Sequence, residues 1–216
     1  SFYKGYGVNG SFALHDQKND KDYFYNKNDY SIATTPASTF KICNSLIGLE
    51  TGVISDENYV ISWDSFERQV PEWDKDNDLK TAFKNSTVWY YQELARRVGV
   101  KKMKAWLDKC SYGNKDTSGG IDKFWLTGGL KISPRQQIEF LERLYSENLP
   151  FSKRSMNIVK KIMLFKDTAT YTLRGKTGWG MDGNVDIGWF VGYIETNGNV
   201  YFFCNRVYCN NPSNND

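Results

Sequence analysis

Histidine is almost absent: His15 is the only one in 216 residues. A hydrolase of the Ser-His-Asp kind needs an imidazole beside its nucleophile. His15 lies among the polar residues of a first hairpin and reads most simply as a surface side chain. An activated serine in this chain therefore needs another base. A zinc site is not expected on related grounds, because Cys43, Cys110, Cys204 and Cys209 show no CxxC spacing and His15 is the one histidine. No metal is expected. Four scattered cysteines in a chain this long read as buried or free thiols rather than a disulfide framework. No apolar run reaches the ~18 residues of a spanning helix, and residues 1–10 carry no signal-peptide core. The chain is expected to be soluble as given, with any export signal already removed. An excess of one charge is lacking too: the net charge of +3 is interspersed and gives no basis for nucleic acid or a membrane surface.

What is present is enough apolar material for a sizeable core, 40% hydrophobic and 16% aromatic, and residues 1–216 are expected to form a single domain. "GSFALHD" and "DYFYNK" flank a polar turn and predict a hairpin. "YTLRGKTG", "DIGWFVGYIE" and "VYFFCNRVY" predict three more strands, the last two joined by the tight-turn signal "TNGN". Between these ends the pattern is helical. "STVWYYQELARRV" places Val88, Tyr91, Leu94, Ala95 and Val98 on one face. "SPRQQIEFLERLY" has Ser133 as cap and Pro134 in the first turn, and "SKRSMNIVKKIMLF" is a third helical segment. Terminal strands that must meet across a helical middle predict one antiparallel sheet covered by helices, an α/β fold of the α+β type. The last seven residues, "NNPSNND", read as a loop or frayed end.

One stretch raises a chemical question. In "TPASTFKICNSLIGLETG", residues 35–52, Pro36 and Ser38 stand where a helix could begin and Gly52 where it could stop. Ser38 and Lys41 are three apart, so on a helix they share a face. The pair is either a cap with a solvated charge or a nucleophile with its base. A lysine is protonated near its reference pKa of ~10.4 and serves as a base only if desolvation lowers that value; Phe40 and Ile42 supply apolar flanks.

Taken singly, each element has a plain structural reading. Ser38 is a helix-start serine, Lys41 a solvated lysine, Trp125 a core aromatic, Ser86 or Asn85 a helix cap and Lys176 an edge charge on a strand. Tyr112-Gly113-Asn114 reads as a turn. S-x-x-K alone is weak, since "SFYK" at Ser1–Lys4 also matches and reads as an accident of a mobile end. Order and combination strengthen the signal: Ser38-Thr-Phe-Lys41 opens one helix, Ser86-Thr-Val88 opens another, and Lys176-Thr177-Gly178 lies on a predicted strand. Serine–lysine with K-T-G is a set shared by class A β-lactamases and penicillin-binding proteins. Here the middle element is S-x-V.

With "PASTFK", "STV", "YGN", "SGGIDKFWL", "LKIS", "GKTGW" and "GWFVGY" in this order, from about Gly10 to Val207, the sequence resembles a class D (oxacillinase-type) serine β-lactamase. The resemblance implies a penicillin-recognising serine-enzyme fold: a central antiparallel sheet of about five strands flanked by helices, plus a mainly helical lobe, with the active site between them. It implies hydrolysis of penicillins and oxacillin-type β-lactams through a Ser38 acyl-enzyme. Lys41, carboxylated on nitrogen by carbon dioxide, would be the general base, held by the Trp125 indole and kept dry by Val88, Phe40 and Leu126. Ser86 would relay a proton to the leaving nitrogen beside Lys176. Backbone N–H groups of Ser38 and Trp179 would bind the oxyanion. Lys176, Thr177 and Gly178 would line the substrate side, with Tyr112 as a pocket wall of least weight.

The resemblance also implies an exported, periplasmic or secreted bacterial enzyme, monomeric or weakly dimeric, whose partners are β-lactams rather than nucleic acid. "KTGWGM" resembles a segment in which a methionine roofs an apolar tunnel; Met181 would occupy it, and carbapenems are expected to be poor or slow substrates. Relatives continue into a final helix with a carboxylate-binding arginine. Arg206 lies too early to be that residue, so either that segment lies beyond this sequence or Lys176 and Thr177 bind the carboxylate alone. Cys43 is expected to be buried and not catalytic. Two other classes share the fold, a β-lactam sensor domain of a membrane signal transducer and a penicillin-binding protein. Val88 speaks against both, since such relatives typically carry a polar Asn there.

Overall fold

A computed structural model describes residues 2–68 and 70–210. Ser1 of the "SFYK" match and nearly all of the "NNPSNND" tail lie outside the described residues. The first hairpin forms as predicted: β1 (Asn9–Asp16) pairs antiparallel with β2 (Lys21–Tyr25), Leu14 opposite Tyr23. A short helix, α1 (Phe2–Gly5), precedes it. Chain order then runs through a 3-10 turn at Ala37–Phe40, α2 (Lys41–Glu50), a two-residue ladder of β3 (Val60–Ile61) with β4 (Asn77–Asp78), α3 (Leu79–Lys84), α4 (Val88–Val98) and α5 (Val100–Cys110). It closes with α6 (Pro134–Tyr145), α7 (Lys153–Ile162), β5 (Leu164–Asp167), β6 (Tyr171–Asp182), β7 (Val185–Thr196) and β8 (Asn199–Asn210).

The main sheet has six strands in the order β2-β1-β8-β7-β6-β5, all antiparallel. Both ends of the chain meet in it, through β1 and β8. The strand beyond the predicted five is β5: Leu164 and Phe165, read as the end of the third helical segment, leave α7 and pair with β6. Both residues are exposed, so their apolarity does not mark a helix face.

Ser133 caps α6 through a capping box with Gln136, and Pro134 fills the first turn. α6 lies across the sheet, its Tyr145 ring edge-on to Tyr193 and Phe202. On the other face α1 reaches the sheet through Tyr3, whose hydroxyl donates to the Ser11 carbonyl at 2.9 Å. His15 is not a free surface residue. It is half-buried between Asp22 at 2.9 Å and Glu142 at 3.0 Å, and so joins the hairpin to α6. The helical lobe centres on α2, of which every residue from Lys41 to Leu49 is buried. No helix among the described residues is long and apolar enough to cross a membrane.

Candidate active site

The start of α2 is where helix and sheet meet. Ser38 does not open an α-helix directly; it sits in the 3-10 turn, with Lys41 as the first residue of α2. Ala37, just before it, has φ +48°, in the left-handed region that residues with a Cβ seldom adopt. The turn is fastened on two sides. Ala37 N–H donates to the Trp125 carbonyl at 3.1 Å, and Thr39 Oγ1 donates to the Pro36 carbonyl at 2.7 Å while accepting from Gln137 at 2.8 Å. On the sheet side, β6 approaches so closely that a Cβ at Gly178 would lie 3.1 Å from Thr39 N and 3.2 Å from Pro36 O. A side chain at the glycine of K-T-G would thus press on the serine's turn.

Ser38 Oγ and Lys41 Nζ are hydrogen bonded at 2.8 Å. Lys41 is completely buried, and no carboxylate pairs with it among the described residues. Burial holds its pKa well below the usual lysine range, and the nearby charge of Lys176 lowers it further. Its amine sits 5.2 Å over the Tyr91 ring. Tyr91 hydrogen bonds Ser45 of α2 at 2.9 Å. Val88, the first residue of α4, lies three positions before Tyr91 and on the same face, and is half-buried.

The second pair is Lys176 and Ser86. Lys176 Nζ donates to Ser86 Oγ at 3.1 Å and to the Thr177 carbonyl at 2.9 Å. Desolvation lowers its pKa to about 8. Ser86 is not a helix cap: Asn85 ends α3, Thr87 takes the N-cap position of α4, and Ser86 stands between them at φ +56°. A left-handed serine between two helices, facing a buried lysine, is the kind of local strain that concentrates at functional sites.

Trp125 is wholly buried against Phe40, ring centroids 5.4 Å apart, and its indole N–H has no hydrogen-bond partner among the described residues. A buried orphan donor is costly. It fits an acceptor group added at the end of the Lys41 side chain, as carboxylation would supply. Tyr112 is a correction: its ring is enclosed by Phe40 and Phe140 at 1% exposure, so it is core and not a pocket wall. Trp179 and Met181 are exposed, at 75% and 41%, on the last residues of β6. A cleft of about 710 Å³ opens along Lys176 and Thr177, bounded by Phe83, Met163 and Phe165. A cleft of about 760 Å³ at the other end of β6, around Asn197 and Asn199, holds none of these groups.

Arg206 is fully buried and paired with Asp29 at 2.5 Å, its guanidinium also donating to the Ile32 carbonyl at 2.7 Å. It is structural, as its early position indicated. Cys43 is buried with its sulfur 3.8 Å from that of Cys110, both free thiols. Sequence reasoning read Asn114 only as part of a turn and passed over Gln137 and Thr35, which support the site from outside; the "YGN" and "LKIS" segments were the available signal for the Asn114–Lys131 and Lys131–Thr35 contacts.

The penicillin-binding protein transpeptidase domain family matches residues 9–214. A probable β-lactamase, YbxI of Bacillus subtilis, is 46% identical over 93% of this chain and 74% of its own length. β-Lactamase OXA-48 of Klebsiella pneumoniae is 43% identical over 90% of this chain and 73% of its own. Among solved structures, a class D β-lactamase YbXI from Nostoc superposes with a TM-score of 0.94 at 46% identity, covering 98% of this chain and 89% of that one. A class D β-lactamase from Sebaldella termitidis gives 0.95 at 42% identity, covering 99% and 86%. A six-stranded antiparallel sheet and a serine–lysine pair at the head of a buried helix already define the penicillin-recognising serine enzymes. Within them, the chain belongs to the class D β-lactamases, serine enzymes that hydrolyse β-lactams.

Proposed function

We propose that this chain hydrolyses penicillins and oxacillin-type β-lactams through an ester on Ser38, with the end of the Lys41 side chain as general base. The observation that carries the reading is the 2.8 Å contact between Ser38 Oγ and a fully buried lysine that no carboxylate among the described residues neutralises. Burial lowers the pKa of a lysine in that setting, so its neutral, proton-accepting form is far more available than in an exposed one.

Ser38 Oγ attacks the lactam carbonyl carbon and gives its proton to the base at Lys41. The carbonyl oxygen takes up negative charge against the backbone N–H groups of Ser38 and Trp179, a placement supported by the close packing of β6 on the 3-10 turn. As the ring C–N bond breaks, Ser86 O–H protonates the nitrogen and recovers a proton from Lys176 at 3.1 Å. The proton taken from Ser38 passes from the Lys41 base to the deprotonated Lys176, which restores both; water then attacks the ester, giving a proton to the Lys41 base, which returns it to Ser38 Oγ as the acyl–oxygen bond breaks. Carboxylation of Lys41 by carbon dioxide would supply an anionic oxygen base, with Trp125 N–H to hold it and Val88 and Leu126 to keep water away. Lys176, Thr177 and Gly178 would bind the substrate carboxylate. The exported setting belongs to the same reading.

Steady-state hydrolysis of a penicillin, with intact mass in parallel, tests it. Many turnovers with a transient adduct on wild type and none on Ser38→Ala are expected. A single burst would instead mark a sensor, a reading kept open by the 34% identity to a regulatory protein, BlaR1 of Bacillus licheniformis, over 96% of this chain and 34% of its own length. An adduct on Ser38→Ala would remove Ser38 as nucleophile.

A further inference from the structure

One exposed-end charge joins three distant parts of the chain. Lys131 Nζ donates to Thr35 Oγ1 at 2.8 Å and pairs with Asp182 at 2.5 Å. Thr35 is buried, three residues before Ser38, and its carbonyl accepts the Trp189 indole N–H at 2.9 Å. Asp182 is the last residue of β6, next to Met181 and opposite Val185 across the turn into β7. Its carboxylate has no other ion pair among the described residues.

Lys131 is itself aimed. Its backbone N–H donates to Asn114 Oδ1 at 3.0 Å and its carbonyl accepts from Asn114 N–H at 2.9 Å. Asn114 Nδ2 adds a bond to the Gly129 carbonyl at 2.8 Å. Gly113, at φ +53°, allows this approach, because a Cβ there would fall 2.2 Å from the Lys131 carbonyl oxygen. The "YGN" turn thus grips the segment that carries Lys131, and Ile132 beside it bridges to Thr34.

We propose that Lys131, acting through Asp182 and Thr35, is a positioning residue that sets the width of the substrate mouth by holding the tip of the β6–β7 hairpin to the nucleophile's loop. The proposal rests on the β-lactam reading of the site. Trp179 and Met181 are exposed on that tip and packed by little else, so their position follows the backbone that Asp182 anchors. An isolated exposed ion pair would do little. This one is about 30% exposed on each side (31% and 27%) and ends on a buried hydroxyl, so breaking it also removes a hydrogen bond beside the serine's loop.

Lys131→Met and Asp182→Asn, made in the whole chain, test this against two penicillins, one with a compact benzyl side chain and one with the bulky oxacillin side chain. Acylation rates come from intact mass, with KM and kcat alongside. Releasing the tip should raise the bulky-to-compact ratio of acylation efficiency at least fivefold, mainly through KM, with kcat on the compact substrate within twofold. Amide exchange over residues 180–186 should quicken about tenfold in both variants. Lys131→Arg, and the swapped pair Lys131→Asp with Asp182→Lys, should return both readouts toward wild type. A selectivity change under twofold, or unchanged hairpin exchange in both single variants, overturns the proposal. If wild type is acylated without turning over, the hydrolase reading fails while the acylation ratio still decides the role of Lys131.

Discussion

Lys41 and Lys176 lie close enough for the charge of one to lower the pKa of the other, and each is hydrogen bonded to a serine, Ser38 and Ser86. Two ammonium groups packed together without a carboxylate would be very costly in a buried site. The arrangement is stable only if at least one is neutral, and complete burial selects Lys41. On the proposed reading the two lysines divide into a base and a cation: Lys41, its pKa held well down by burial, takes up a proton, and Lys176, its pKa lowered to about 8, meets a carboxylate.

The base should show itself in pH. Activity should fall as pH drops and be partly restored by bicarbonate, because acid protonates the Lys41 amine that carbon dioxide must add to. Lys41→Met should lose about 10²-fold or more in kcat, the range of a general base, without losing stability. The sign follows from linkage: a lysine whose folded pKa lies below its unfolded value binds more protons unfolded, so it makes stability rise with pH between the two values. Lys41→Met should remove that rise and melt no lower than wild type at pH 7. Thermal melts from pH 6 to 10 beside a pH–rate profile check both halves; a bicarbonate-independent rate in wild type would count against carboxylation.

Lys176 predicts a different limb. If its ammonium binds the substrate carboxylate, KM for penicillins should rise as pH climbs through about 8, where that charge is lost in the free enzyme. Lys176→Met should raise KM about tenfold at pH 7, since a charged hydrogen bond is worth roughly 1.5–3 kcal/mol, and should flatten the upper limb. KM measured from pH 6 to 10 decides it. A limb near pH 8 that persists in Lys176→Met would assign the titration to another group.

Much of this was legible beforehand, for identifiable reasons. The long strands β6, β7 and β8 and the capped helix α6 carry local signals, alternation and a Ser-Pro start, that tertiary packing reinforced. Ser38, Lys41, Ser86 and Lys176 stood out because chemistry requires unusual residues at fixed spacing. What was hidden depended on partners distant in sequence. β5 is four exposed residues whose strand identity comes from β6 alone. Tyr112 looked like a turn-borne pocket residue, yet the Phe40 and Phe140 rings enclose it. The left-handed Ala37 and Ser86 carry no glycine to announce them.

Arg206 offers a test of the frame behind the site. Its guanidinium lies 5.1 Å over Trp189, which holds the Thr35 carbonyl. Burial pushes the Asp29 carboxyl upward, but hydrogen bonds from Arg206 and Ser11, with the Arg206 charge, outweigh it and keep the pKa below the usual range. Arg206→Leu would strand that carboxylate and should cost about 3–5 kcal/mol. The loss should shrink in acid, because a carboxylate with a depressed pKa gives up its stabilisation as pH falls through the folded value. Urea unfolding at pH 7 and pH 2 measures it; an equal loss at both would mean packing, not charge, is what Arg206 supplies.

On the proposed reading, Val88 is the position at which the sequence distinguishes an enzyme from a sensor. It shares a face of α4 with Tyr91, whose ring lies under the Lys41 amine. An apolar side chain there offers nothing to an ammonium, so it favours the neutral form of Lys41 that the proposed carboxylation would need. Val88→Asn would bring a dipole and water into that space and raise the Lys41 pKa. Acylation by a penicillin should stay within about threefold, whereas release of the ester, which needs water activated at Lys41, should slow by about 10²-fold. Intact mass would then show the variant held as acyl-enzyme, with bicarbonate unable to restore full turnover. Full turnover by Val88→Asn without bicarbonate dependence would mean that pocket dryness does not set the rate, and the residue that separates this chain from a sensor would have to be sought elsewhere.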